Sequence, residues 1–296
     1  MTLSTIAVTG GNGKIGSALL SHLNDHGYET VDLARGKRRE EVSDTYITTD
    51  LLDAGETYGA LAKSDADAVV HMGTIPDPNR TPQFRTYESN VMSAAHVLEA
   101  SEALGLEACS LASSINAMGA EHQTRDPQVD YLPVDESHPR TPDDSYGIAK
   151  HAMEVTADGF GRRPDCETTI STLRFPWVPS DEEVVEYFAE ADRSLDALHE
   201  DDPWSGRQVL FSYLHVEDAC AVARSAVEAD YTGHETFWAV AGDTTADVPT
   251  ARLVETFYPE ADVRDPLEGT ETVFDLSKAA DLLGWEPAVS WRDYRE

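Results

Sequence analysis

Tyr146 and Lys150 stand four positions apart in "DSYGIAK". On a helix that spacing sets a phenol and an ammonium on one face, close enough to interact. An ammonium at that range stabilises phenolate, so the tyrosine would ionise below its usual value of about 10 and serve as a general base near neutrality. The same spacing occurs by chance in many helices, so its position must decide. Upstream, Ser113 and Ser114 end the run "LEACSLASS", at what reads as the carboxyl edge of a strand, the edge where doubly wound folds bind ligands.

A second chemical signal lies in "VTGGNGKIGSALL", residues 8–20, with four glycines in seven positions between an apolar run and an amphipathic stretch. Gly11, Gly13 and Gly16 fit G-x-G-x-x-G, while Gly10, Gly13 and Gly16 fit a looser G-x-x-G-x-x-G. A tight turn alone would ask for glycine. A pyrophosphate held by backbone N–H groups at a helix N-terminus asks for it too, and would meet Gly10, Gly13, Lys14, Ile15 and Gly16. Asp32 closes the second apolar run at the spacing of a ribose-binding carboxylate, which favours NAD. The next residues, "ARGKRR", bring Arg35, Lys37, Arg38 and Arg39 to the place of a ribose 2′-phosphate, or else form a solvated basic turn. The expected cofactor is NADP, with NAD tolerated.

These groups need a scaffold. Short β-branched runs alternate with helix-period stretches: "STIAVTG" then 14–26, "YETVDLA", "TYITTD" then 55–63, "DAVVHMG" then about 82–104, "LEACSLASS" then 145–160, and "TTISTLRF". Six strands alternating with helices mean right-handed βαβ units, and so an α/β, Rossmann-type doubly wound parallel sheet. After Pro176 the rhythm breaks. The expected division is a dinucleotide-binding domain over 1–176, with 205–230 returning to it, and a smaller C-terminal, mainly substrate-binding part over 177–296, in which "RQVLFSYLHV" reads as a strand.

The chain has 296 residues, 55 of them acidic and 22 basic, for a formal charge of −33. Such repulsion is relieved near 1 M salt, where the Debye length falls to about 3 Å, and the composition reads as that of a halophile's cytosolic protein. No broad basic surface exists for nucleic acid. Cys109, Cys166 and Cys220 lie far apart and read as reduced thiols. No signal peptide or membrane-length apolar run is visible, which points to the cytoplasm. His22 and His26 have metal-ligand spacing but sit on the polar face of their helix, so no metal is expected.

Taken with "TTDLLD", "VVHMG", "ESNVMSAAHVLEAS", "LASSINAMG", "TLRF", "LHVEDAC" and "DLSKAADLLGWEP", these motifs make the chain resemble an extended short-chain dehydrogenase/reductase of the NAD-dependent epimerase/dehydratase superfamily, from residue 3 to about 290. The resemblance implies that Asp50 and Leu51 contact adenine, that Met72 and Gly73 line the cofactor and that Asn90 supports its nicotinamide end. It implies that Ser114 orients the substrate oxygen, Tyr146 transfers the proton, and Lys150 holds the nicotinamide ribose. Ile75, Asn116 and Arg174 would join Ser114 and Tyr146 around the substrate.

Within the superfamily the chain is most similar to uronate and aldose 1-dehydrogenases, haloarchaeal L-arabinose 1-dehydrogenases among them, through "VVHMGTI", "LASSIN" and "RTPDDSYGIAK". It departs from the uronate pattern at Ile115, Asn116 and Pro76. An apolar Ile115 and a donorless Pro76 would hold a sugar carboxylate poorly, which favours a neutral aldose such as L-arabinose, oxidised at C1 to a lactone. Arg174 reads either as a carboxylate clamp or as a structural arginine. Arg80 and Arg85 leave a sugar phosphate open, or are exposed charges. A sugar-nucleotide epimerase and a non-catalytic nucleotide sensor are the rival readings. The helices at 82–104 and 145–160 would suit a dimeric four-helix contact, in a dimer or tetramer.

Overall fold

The computed structural model describes residues 3–76, 78–123, 125–198 and 206–295. The chain begins β1 (Thr5–Thr9), α1 (Lys14–Asp25), β2 (Glu29–Ala34), β3 (Thr45–Thr48), α2 (Ala54–Ser64) and β4 (Ala68–His71). It continues with α3 (Gln83–Leu104), β5 (Ala108–Ser114), the short β6 (Tyr131–Leu132), α4 (Ser145–Gly161) and β7 (Thr169–Phe175). Beyond these lie the single turns α5 (Asp181–Val184) and α6 (Leu195–Leu198), then α7 (Val216–Glu228), β8 (His234–Trp238), α8 (Thr250–Phe257), β9 (Asp262–Val263) and α9 (Ser277–Leu283).

Among the described residues, seven parallel strands form one sheet in the order β3-β2-β1-β4-β5-β7-β8. Alternation within β1 shows why both faces must be covered. Ile6 and Val8 pack with Leu19, Leu20 and Leu23 of α1 and Val222 and Ala223 of α7, while Ala7 packs on the other side with residues of α2, α3 and α4 such as Leu61, Val97 and Met153. The strand order reverses between β1 and β4, which opens a crevice at their carboxyl ends.

A third apolar cluster joins Ile115, Met118, Leu132 and Val134 to Leu210, Phe211, Trp238, Leu253 and Phe274. There the parallel pair β6–β9 forms its own small sheet.

Two expectations change. "RQVLFSYLHV" is no strand: Arg207–Val209 is a 3-10 turn, and Leu210 and Phe211 adopt φ +54 and +55, a left-handed conformation that ends any extended run. Its apolar side chains are buried by tertiary packing, which alternation alone does not distinguish from a strand. The seventh strand is instead "HETFW", an edge strand whose polar His234 and Glu235 conceal it. Residue 205 lies outside the described residues. No helix among the described residues is long and apolar enough to cross a membrane.

Candidate active site

β1 runs directly into the glycine turn. Gly10 has φ +76, and a Cβ there would sit 2.8 Å from Gly73 Cα, so only glycine lets β1 and the loop after β4 meet. A Cβ on Gly16 would sit 2.3 Å from Gly10 O, which fixes how closely α1 approaches the strand end. Gly13 is the N-cap of α1 and supplies no side-chain cap. Helical bonding starts with Ser17 N–H donating to Gly13 O at 2.9 Å. The N–H groups of Lys14, Ile15 and Gly16 therefore have no intrahelical acceptor, and with the helix dipole they suit an anion.

These residues line a cleft of about 640 Å³ that also touches Met72, Ser114, Asn116, Tyr146 and Lys150. A second cavity of about 540 Å³ shares Gly10, Gly13 and Met72 with it and extends to Arg35, Arg39, Asp50, Leu51 and Gly73. The two adjoin along these shared residues at the strand reversal, with Gly10 and Gly13 of the glycine turn lining both. Asp32, Ile75, Asn90 and Arg174 line neither.

Asp32 is thus corrected as a ribose ligand. β2 continues two residues past it to Ala34, about 7 Å further along the strand. Asp32 is 3% exposed, and its Oδ1 accepts the Gly11 N–H at 3.2 Å, so it buttresses the turn from beneath. Burial raises its pKa, opposed by the Gly11 N–H and Arg38. The residues at the rim are Ala34, Arg35 and Arg39. Asn12 holds this basic loop onto the glycine turn, accepting from Arg39 N–H at 3.1 Å and donating to the Arg35 and Lys37 carbonyls at 3.4 Å.

Asn90 is fully buried and grips the loop after β4. Its Oδ1 accepts the Ile75 N–H at 2.7 Å and its Nδ2 donates to Ile75 O at 3.0 Å. Ile75 contributes its backbone to this clamp and is not among the residues lining the cleft. Burial holds His71 far below its ordinary value, at about 3. Neutral, it bonds Thr9 Oγ1 at 2.8 Å and Ser93 Oγ at 3.2 Å, and Thr9 Oγ1 accepts the Gly73 N–H.

Asp144 caps α4, accepting the N–H groups of Tyr146 and Gly147 at 2.8 and 3.0 Å, and so presents Tyr146 and Lys150 beneath the end of β5. Ser114 lines the cleft with the phenol and acts to lower its pKa. The expected lowering of the phenol's pKa is overturned. Burial pushes it up to about 12, Glu121 and Asp144 add like-charge repulsion, and only Ser114 opposes them. Burial also lowers Lys150 to about 7, with Glu154 pulling back. Its Nζ donates to Ala112 O at 2.5 Å and lies 5.5 Å over the centroid of the Tyr146 ring.

Arg174 is structural. Fully buried, it forms a bidentate pair with Glu154, both contacts 2.9 Å, and stacks over Trp238 at 4.6 Å. Ser113 donates to the same carboxylate at 2.6 Å. Lys14 lines the cleft through its chain, while its Nζ pairs with Glu183 at 2.7 Å. Arg85 pairs with Glu88 at 2.6 Å, and neither it nor Arg80 lines the cleft. His22 and His26 stack at 4.2 Å, and among the described residues no group of three or more His, Cys, Asp or Glu side chains is placed to hold a metal.

Spacing gave no sign of Glu121, His122, Trp177, Phe188 and Gln208, which complete the cleft. Gly119 (φ +95) ends the 3-10 turn Ile115–Met118 and sends the chain back over α4, so that the His122 ring lies edge-on to Tyr146 at 6.1 Å. Trp177 and Phe188, both lining the cleft, pack together at 5.7 Å.

The putative UDP-glucose 4-epimerase of Methanocaldococcus jannaschii is 26% identical over 155 residues, 50% of this chain and 48% of that protein. The NAD-dependent glucose-6-phosphate dehydrogenase of Haloferax volcanii is 29% identical over 166 residues, 51% of this chain and 60% of that one. The aligned stretch thus spans about half the length of these curated relatives. Among solved structures, the UDP-glucose 4-epimerase of Thermotoga maritima superposes with a TM-score of 0.71 at 20% identity, covering 98% of this chain and 95% of that one. A mutated uronate dehydrogenase gives 0.68 at 21%, covering 99% and 84%. At such identities these likenesses speak for the fold. Residues 6–240 match the NAD dependent epimerase/dehydratase family across both the glycine turn and the Tyr146 helix, and the chain belongs to that family.

Proposed function

We propose that the chain is a sugar dehydrogenase that oxidises the anomeric C1 hydroxyl of a neutral aldose, such as L-arabinose, to the lactone, using NADP in preference to NAD. The observation that carries this reading is the meeting of Ser114, Tyr146 and Lys150 in one cleft with the uncapped start of α1. The glycine turn and the α1 N–H groups would hold the pyrophosphate, Asp50 and Leu51 the adenine end, and Lys150 the nicotinamide ribose. When bound, the nicotinamide accepts the hydride that leaves C1.

Everything else falls to the protein. Ser114 acts to lower the phenol's pKa and positions the sugar hydroxyl beside it, and the Tyr146 oxygen takes the hydroxyl proton. Trp177 and Phe188 offer an apolar platform to the C–H face of a sugar ring. The NADP preference is supported by Arg35 and Arg39 at the rim and by Asp32 lying too deep to repel a 2′-phosphate. Apolar side chains exposed on α3 and α4, Phe84, Met92, Ile148 and Val155, support a homo-oligomer through those helices.

A sugar phosphate is the second reading, favoured by the Haloferax volcanii relative. A panel of aldoses, uronates and sugar phosphates, assayed with NADP and NAD in molar KCl, separates them. Net reduction of added NADP by a free aldose is the expected result. No reduction with any sugar ends the dehydrogenase reading.

A further inference from the structure

Glu121, Asn116 and Tyr146 all line the cleft; the sequence placed Asn116 near the substrate but gave no sign of Glu121. Asn116 is 4% exposed and its Oδ1 has no hydrogen-bond partner, although its backbone N–H is engaged with Ser114 Oγ at 3.2 Å. A buried amide oxygen without a donor is an unfavourable state that a bound hydroxyl relieves. Glu121 is half-exposed at the rim and 3.8 Å from His122. At His122 the backbone adopts φ +66, uncommon for a side chain of that size, and this bend brings both residues to the cleft.

We propose that Glu121 and Asn116 form a wall, anionic at Glu121 and with an unpartnered amide oxygen at Asn116, that selects uncharged, hydroxyl-rich ligands and rejects anionic sugars. Ionised carboxylates and phosphates are repelled by Glu121, whereas polyol hydroxyls donate both to its carboxylate and to Asn116 Oδ1. The cationic side chains of the cleft do not offset this. Lys14 is paired with Glu183, Lys150 donates to Ala112 O, and no arginine lines the cleft among the described residues. The inference rests on the sugar-oxidising reading and adds to it the residues that set the charge of the substrate.

Two measurements on wild type and Glu121→Gln test it, with glucose, glucuronate and glucose 6-phosphate as matched probes. In turnover with NADP, Glu121→Gln is expected to raise kcat/KM for the anionic sugars relative to glucose at least about tenfold, the size of one charged contact. In calorimetry on the NADPH-loaded protein, which needs no turnover, glucose binds wild type and the anions bind only the variant. Asn116→Leu is expected to weaken glucose binding without admitting the anions. Wild type that turns over nothing ends the dehydrogenase reading, and calorimetry then judges the wall alone. If wild type and Glu121→Gln discriminate alike, or bind none of the probes, the proposal is overturned.

Discussion

Lys150 holds its Nζ over the face of the Tyr146 ring, 5.5 Å from the centroid, and spends its hydrogen bond on the Ala112 carbonyl. The phenol's help comes from Ser114 instead, and burial together with Glu121 and Asp144 keeps it protonated, pushed up to about 12. Oxidation needs the phenolate, whose population grows about tenfold per pH unit below that value. The rate of sugar oxidation is therefore expected to climb from pH 7 to 9 without a plateau, while lactone reduction, which uses the protonated phenol, stays level over the same range. Tyr146→Phe is expected to lose at least about a hundredfold in kcat while NADP affinity stays within twofold. A variant keeping a tenth of wild-type turnover would refute the role.

Lys150→Met separates chemistry from stability. The folded pKa of about 7 lies below the unfolded value of 10.5. Wild type therefore loses stability as pH falls from 10.5 to 7, because the unfolded chain binds the proton first, and the loss levels off below 7. Methionine fills similar volume without a charge. Melting curves at pH 9.5 and 7 should show the variant gaining on wild type at the lower pH, with turnover abolished at both.

At the adenosine end, Arg35→Ala with Arg39→Ala is expected to weaken NADP about 10- to 100-fold, as for loss of one or two charged hydrogen bonds, and to leave NAD unchanged. Asp32→Ala gives the contrasting outcome. It leaves the buried Gly11 N–H without its acceptor and lowers Tm, and it shifts the two cofactors equally. A selective loss of NAD would restore Asp32 as a ribose ligand.

Arg174 tests the buried pair. Arg174→Met removes the bidentate partner of the Glu154 carboxylate, which sits at 0% exposure and keeps only Ser113 and the Arg140 contact at 3.2 Å, and should cost toward the lower end of about 3–5 kcal/mol in denaturant unfolding. Adding Glu154→Leu should recover much of it. A carboxylate clamp would behave otherwise, with near-normal stability and a KM defect confined to uronates.

The charge of −33 sets a further expectation. Tm should rise by several degrees between 0.1 and 2 M KCl, tracking the loss of like-charge repulsion as the screening length shortens. A flat response would remove the halophilic reading.

The sequence by itself determined the elements whose information is local. β-branched runs and helix-period stretches mark six of the seven strands of the sheet and the helices on both its faces, since a parallel sheet covered on both sides requires apolar residues on both faces of its strands. Glycine spacing marked the turn, and the four-residue interval put Tyr146 and Lys150 on one helix face. Tertiary structure decided whatever depends on where an element ends or what buries it. Two residues of strand beyond Asp32 carry its carboxylate beneath the turn. A buried glutamate on α4 converts Arg174 from a ligand into a brace. The left-handed bend at His122 delivers Glu121 to the cleft, and burial reverses the sign of the pKa shift that the Tyr146–Lys150 spacing implied, because the same burial that penalises the phenolate also lowers the Lys150 ammonium that was to stabilise it.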